Sequence, residues 1–215
     1  MKKRVAILIS GRGSNMMALV DAARTGDYPA EITTVISSRP DSPGLAWARA
    51  QGLPSRAIDH KAYASREAFD GAIDAALSEA GTDLVALAGF MRIQSPSFVR
   101  KWMGRQLNIH PSLLPLFKGL HPQRQALQAG VRISGCSVHF VTEEMDAGPI
   151  VAQAAVAVHE GDTEHTLADR ILVAEHRLYP HALHLVASGR ARLEDGRVVL
   201  GGALNSSEFL YSPAI

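Results

Sequence analysis

Short apolar segments alternate with stretches of helical periodicity through the first half of this chain, and that alternation limits its fold more than any other feature. Residues 4–10 read as a strand, 14–24 as a helix, 32–37 as a second strand, and 44–51 as a short helix ended by Gly52. A third short strand is expected at 55–59. Residues 65–80 form an amphipathic helix with Phe69, Ile73, Ala76, Leu77 and Ala80 on one face. Residues 84–88 are apolar throughout, 95–103 make the next helix, and a fifth strand ends at 107–109. Strands apolar on both sides need cover on both faces, and strand–helix alternation supplies it as a parallel sheet between helical layers.

The second half changes character. Residues 134–141 alternate, with Cys136, Val138 and Phe140 set against Ser137 and His139, and 150–158 form another strand beyond a loop-like connection. These two strands are expected to be antiparallel neighbours at one side of the sheet. Asp162 or Thr163 caps a long helix carrying Leu167, Ile171, Leu172, Leu178 and Leu183. Pro180 is expected to kink or end it. Strand-like pieces follow from Arg190, and then a polar tail. The fold class is therefore α/β: a Rossmann-like, mostly parallel sheet covered by helices on both faces, with antiparallel strands added in the C-terminal half. Residues 1–202 are expected to make a single domain and 203–215 a C-terminal tail.

Composition narrows the partners. A chain of 215 residues with 47% hydrophobic and 20% charged residues can bury one sizeable core. Its formal net charge of +1 gives no broad basic surface for nucleic acid, so any anion must be held by a local site. The single cysteine, Cys136, excludes an internal disulfide and fits a reducing, cytoplasmic setting. Lys2, Lys3 and Arg4 precede an apolar run as in a signal peptide. The run at 5–9 is too short, however, and Gly11-Arg12-Gly13 follows without a cleavage pattern. No apolar stretch approaches membrane-spanning length, so no membrane partner is expected.

Two segments carry chemistry. The first strand runs into Ser10-Gly11-Arg12-Gly13-Ser14-Asn15 and then a helix. A helix N-terminus offers free backbone N–H groups and a positive dipole end to an anion. Gly11 and Gly13 match the first two glycines of the dinucleotide fingerprint, but Met16 stands where the third belongs, and the second strand ends in Ser37-Ser38-Arg39 without an acidic residue. No Walker A lysine follows. The loop suits a monophosphate. A tight turn with Ser14 or Asn15 as N-cap is the bland alternative.

The second segment is Leu107-Asn108-Ile109-His110-Pro111-Ser112-Leu113-Leu114-Pro115. Asn108 and His110 are two apart on an extended segment, so both point to one face. That face lies at the C-terminal end of a parallel strand, where open α/β sheets bind ligands. An amide beside an imidazole suits a carbonyl whose oxygen gains negative charge. Taken singly, Asn108 and His110 are ordinary strand-end residues and Asp146 an ordinary turn residue.

Taken together with these segments, Ala88-Gly89-Phe90-Met91-Arg92-Ile93, Gly119-Leu120-His121, Gly135-Cys136-Ser137-Val138-His139-Phe140-Val141, Asp146-Ala147-Gly148-Pro149 and Glu175-His176-Arg177-Leu178-Tyr179-Pro180 bring out a resemblance. The chain resembles the folate-dependent phosphoribosylglycinamide formyltransferase family of purine synthesis over roughly residues 4–200. The Asn-x-His-Pro-Ser-Leu-Leu-Pro motif with a later Asp is shared with methionyl-tRNA formyltransferases and formyltetrahydrofolate hydrolases. The resemblance implies an enzyme that passes a formyl group from 10-formyltetrahydrofolate to the amine of glycinamide ribonucleotide. It implies a catalytic set of Asn108, His110 and Asp146. It assigns the acceptor phosphate to Gly13, Ser14 and Asn15, and the acceptor ribose to Glu175. The folate pocket would take Arg66, Met91, Arg92, Ile93, Gln94, Asn108, Glu143 and Glu144, with His139 supporting the site.

Three positions depart from the family pattern. Gln94 stands where an apolar residue commonly follows Met-Arg-Ile. Leu172 replaces a glutamine that some members place near the phosphate, and Gln123 replaces a second histidine after Gly-Leu-His. Against the tRNA-acting members stand the net charge of +1 and the few residues after Leu200. Against the hydrolases stand the phosphate loop and the absence of sequence before the first strand. A nonenzymatic binding module would keep the glycine loop without needing Asn108, His110 and Asp146 together. Despite nine histidines, with His181 and His184 three apart, no Cys or acidic ligands stand at metal-binding spacing, so no metal is expected. Trp47, Trp102, Met16 and Met17 read as packing residues. The reading leaves the chain a monomer or a homodimer.

Overall fold

The structure is a computed structural model in which residues 1–201 are described; the expected tail at 203–215 lies outside them. Seven strands form one sheet: β1 (Lys3–Ile9), β2 (Ala30–Ser37), β3 (Ser55–Ala57), β4 (Leu84–Leu87), β5 (Gln106–His110), β6 (Ile133–Phe140) and β7 (Ile150–Ala157). Their order is β3-β2-β1-β4-β5-β6-β7. The first five are parallel, and β6 and β7 run antiparallel beyond β5, as the sequence pattern predicts. A small hairpin, β8 (Ala191–Glu194) and β9 (Arg197–Leu200), accounts for the strand-like pieces after Arg190.

Helices cover both faces. α1 (Ser14–Ala23) and the 24-residue α6 (Glu164–Ala187) pack on a core that includes Val5, Ile7, Leu107, Ile109, Phe140 and Tyr179. α3 (Arg66–Glu79) and α4 (Pro96–Lys101) pack on the opposite face over Ala6, Leu8, Val85 and Leu87. The face of α3 read from periodicity is the buried one, with Phe69, Ile73, Ala76 and Leu77 inside. Two short helices complete the set: α2 (Pro43–Ala50) and α5 (Pro122–Gln128), the latter without a strong apolar stripe to announce it.

Two local expectations are corrected. Of the two outcomes expected at Pro180, a kink or an end, the end does not occur: α6 runs on to Ala187. Proline inside a helix costs about 3 kcal/mol through its lost N–H and its ring clash. Burial of Ala182, Leu183, Leu185, Val186 and Ala187 beyond it offsets that cost. The Tyr28 hydroxyl also ties this turn of the helix down, donating to the Pro180 carbonyl at 2.7 Å. Second, neither Ser14 nor Asn15 caps α1. Gly13 holds the N-cap position at φ 76°, and no side chain caps the helix. At the other long helix the cap is Thr163, whose hydroxyl accepts from the Thr166 N–H.

The strand order reverses between β1 and β4, which places the crevice of the sheet at their C-terminal ends. The loops leaving these strands meet there. The Ser10 N–H donates to the Gly89 carbonyl at 3.1 Å, and the Met91 N–H donates to Ser10 Oγ at 2.9 Å. From beneath, the fully buried Tyr179 of α6 sends its hydroxyl to the carbonyls of Leu87 and Leu107, at 3.0 and 3.1 Å.

Candidate active site

Strand β5 sorts its side chains by parity. Leu107 and Ile109 enter the apolar core shared with α6, whereas Gln106, Asn108 and His110 share the other face. Asn108 lies opposite His139 of β6, and its Nδ2 sits 3.2 Å from His139 Nε2. His139 donates from Nδ1 to the Phe140 carbonyl at 2.9 Å, which leaves Nε2 free to accept from the Asn108 amide. Burial pushes the His139 imidazole below its ordinary pKa, and His110 nearby adds to this, while the Phe140 carbonyl and Asp146 act in the opposite sense. The ring is thus held neutral and aims the Asn108 amide. The β6–β7 register shifts between Val138 and His139, a bulge beside the site.

His110 is buried, and both its ring nitrogens face oxygen acceptors. Nε2 lies 3.0 Å from the Phe117 carbonyl, and Nδ1 lies 3.4 Å from Asp146 Oδ2. The other Asp146 oxygen is 3.9 Å from His139 Nε2. Asp146 belongs to the loop of residues 141–149, where it adopts φ 51°. Its Oδ2 accepts the Gly119 N–H at 2.9 Å, which fastens that loop to the segment after β5. Gly148 lets the loop return against β6, because a Cβ there would lie 1.7 Å from the Phe140 carbonyl oxygen. The segment after β5 is itself tied down by Ser137. That hydroxyl donates to the Ser112 carbonyl at 2.7 Å and accepts the Leu114 N–H at 3.0 Å. The polar face of β6 is as buried as its apolar face.

The expected phosphate loop and the expected ribose residue also meet. Asn15 Nδ2 donates to Glu175 Oε2 at 2.8 Å, while Asn15 Oδ1 is buried without a hydrogen-bond partner among the described residues. Burial raises the pKa of the Glu175 carboxyl, and the Asn15 amide counters part of that rise. Gly13 at φ 76° turns the chain into α1, and Ser14 opens the helix.

The remaining candidates lie on other segments of the chain. Met91 and Ile93 are 59% and 65% exposed, unusual for such side chains, and Arg92 beside them is also exposed. Arg66 is the exposed first residue of α3. Glu143 pairs with Arg100 at 2.7 Å and Glu144 with Lys118 at 3.0 Å, both at the surface. Gln94 turns inward and pairs with Gln106. Gln106 and Phe117 were not singled out from sequence, and Gly119 entered only through the Gly119-Leu120-His121 motif, without a role. The even spacing of Gln106 with Asn108 and His110 was available as a signal; the backbone groups of Phe117 and Gly119 left none. No group of three or more His, Cys, Asp or Glu able to hold a metal ion occurs among the described residues. No helix among them is long and apolar enough to cross a membrane.

Known proteins share the sequence and fold of this chain. The formyl transferase family matches residues 3–183. Phosphoribosylglycinamide formyltransferase of Escherichia coli is 43% identical over 198 residues, covering 92% of this chain and 93% of that protein. The trifunctional purine biosynthetic protein adenosine-3 of Bos taurus is 56% identical over 198 residues, but this chain spans only 20% of its length. The crystal structure of glycinamide ribonucleotide transformylase 1 from Symbiobacterium toebii superposes with a TM-score of 0.89 at 49% identity, covering 93% of this chain and 94% of that one. With its mostly parallel sheet, its crevice at the strand reversal and the Asn108–His110–Asp146 cluster, this chain belongs to the formyl transferase family.

Proposed function

We propose that this chain transfers the formyl group of 10-formyltetrahydrofolate to the amine of glycinamide ribonucleotide, giving formylglycinamide ribonucleotide and tetrahydrofolate in de novo purine synthesis. The observation that carries this reading is the meeting of Asn108, His110 and Asp146 at a strand end, with His110 Nδ1 3.4 Å from the carboxylate, in a chain of this family. The close identity to proteins named for this activity over nearly their whole length supports the choice of acceptor.

In this reading 10-formyltetrahydrofolate supplies the formyl group as co-substrate. The Asn108 amide, aimed by neutral His139, donates to the formyl oxygen as negative charge develops there. His110, drawn toward Asp146, supports the same charge and offers a proton. A buried donor of this kind is worth about a hundred- to a thousandfold in rate. Asp146 orients His110 and relays the proton that leaves the acceptor amine toward the folate nitrogen. Gly13, Ser14 and Asn15 bind the acceptor phosphate through the uncapped amides of α1, and Glu175 holds the ribose hydroxyls. Arg66, Met91, Arg92, Ile93, Glu143 and Glu144, with Asn108, bound the folate pocket, and Gln94 backs it from the interior through its pairing with Gln106. The loop of residues 141–149 limits access of water to the transferring group.

Residues 1–202 act as one formyltransferase domain. The protein works in the cytoplasm as a monomer or homodimer on small-molecule substrates, without metal, nucleic acid or membrane. Incubating purified protein with 10-formyltetrahydrofolate, with and without glycinamide ribonucleotide, tests the reading. Acceptor-dependent formation of tetrahydrofolate is expected. Release of formate without acceptor would instead mark a hydrolase, and absence of turnover a binding module.

A further inference from the structure

Between Ala88 and Ser95 the chain has no regular secondary structure, yet this stretch carries the exposed Met91 and Ile93 assigned above to the folate wall. Its near end is fixed by the Met91 N–H on Ser10 Oγ and by the buried Phe90 ring, stacked 6.4 Å from Phe69 at an interplanar angle of 9°. Its far end is fixed at Gln94 and Ser95. The Ser95 N–H donates to Asp70 Oδ2 at 2.5 Å. Gln94 and Gln106 form a closed amide pair: Gln94 Nε2 donates to Gln106 Oε1 at 3.3 Å, and Gln106 Nε2 donates to Gln94 Oε1 at 2.5 Å. The two residues are only 9% and 1% exposed.

A reciprocal amide pair out of water is an all-or-none device. Each side chain satisfies the other, and removal of either leaves a buried donor and acceptor without a partner. The pair also has a directional consequence. Gln106 shares its face of β5 with Asn108 and His110, so Gln94 is tied to the same row of side chains that supplies the candidate catalytic groups. The wall residues Met91–Ile93 lie between two anchors, one on the β1 exit and one on the catalytic strand.

We propose that the Gln94–Gln106 amide pair is a positioning clasp that sets the distance between the folate wall at residues 91–93 and the Asn108–His110 row, and so determines how tightly the formyl donor is held. Neither glutamine touches the donor; both act through the backbone of the wall. The identity of the donor rests on the function proposed above, whereas the clasp itself does not.

Three variants test it: Gln94→Leu, Gln106→Leu and the double substitution. Hydrogen exchange of the 88–95 backbone amides reads the clasp without any folate. Each single variant is expected to exchange faster there, and the double variant to return toward wild type, because replacing both partners with apolar groups of similar shape leaves nothing unsatisfied. In steady-state assays the single variants should raise the donor KM about tenfold with kcat within about twofold, and the double variant should recover most of the loss. Unchanged exchange and KM in the single variants would overturn the clasp. A double variant as weak for the donor as the singles would also overturn it, because it would mean that a glutamine contacts the donor directly. If wild-type protein turned over no formyl donor, the proposed function would fall and exchange alone would decide the clasp.

Discussion

The two ends of the crevice are built by opposite means. At the proposed acceptor end, the chain turns through Gly13 into an uncapped helix, and one side-chain pair, Asn15 with Glu175, completes the arrangement. At the proposed transfer end, the polar side chains are held by partners from several segments of the chain. Asn108 is aimed by His139, His110 lies between Phe117 and Asp146, and Asp146 is fastened by Gly119. Binding an anion asks only for N–H groups of fixed direction, which a helix start supplies unaided. Assisting a reaction asks for groups held to fractions of an ångström, which takes a web of supporting contacts.

In the proposed function, substitutions at the transfer end are expected to cut kcat and those at the acceptor end to raise the acceptor KM. The largest effect is expected for Asp146→Asn, which removes the charge facing His110. A loss of about a thousandfold in kcat by steady-state kinetics is expected, and wild-type turnover would break the distinction. Glu175→Gln keeps the shape and the link to Asn15 but removes the charge-assisted grip on a hydroxyl. The acceptor KM should rise about tenfold with kcat nearly retained. A fall in kcat as deep as that of Asp146→Asn would show that the two ends do not divide the work.

The smallest effect concerns acid stability. The folded protein holds His139 below its ordinary value of 6.5, so it binds the proton less readily than the unfolded chain. The stability linked to this ring is therefore complete above about pH 6.5 and is lost as pH falls through the lower, folded-state value. His139→Gln keeps an acceptor for Asn108 but cannot titrate. Denaturant midpoints followed from about pH 7 to about pH 5 should fall less steeply in this variant than in wild type. Equal slopes would remove His139 as the source.

Much of the fold was legible because its signals are local. Continuous apolar runs at β1 and β4 required cover on both faces, and the stripe on α3 pointed its buried side correctly. The motif around Asn108 and His110 located the crevice, since parity along one strand places side chains without knowledge of the rest of the chain. Where local rules failed, burial elsewhere outweighed them. Pro180 stayed inside α6 because five buried residues follow it, and Asn15 left the cap to bond Glu175, 160 residues away.

The sequence by itself determined the alternation of elements, the faces of the strands, and which residue types stood at the strand ends. Only the tertiary structure decided that Asp146 meets His110, that His139 stays neutral and aims Asn108, and that Gln94 locks onto Gln106. Each of these depends on desolvation and on partners distant in the chain. A side chain's polarity is written in its identity, but its protonation, direction and partner are set by the groups that folding brings around it.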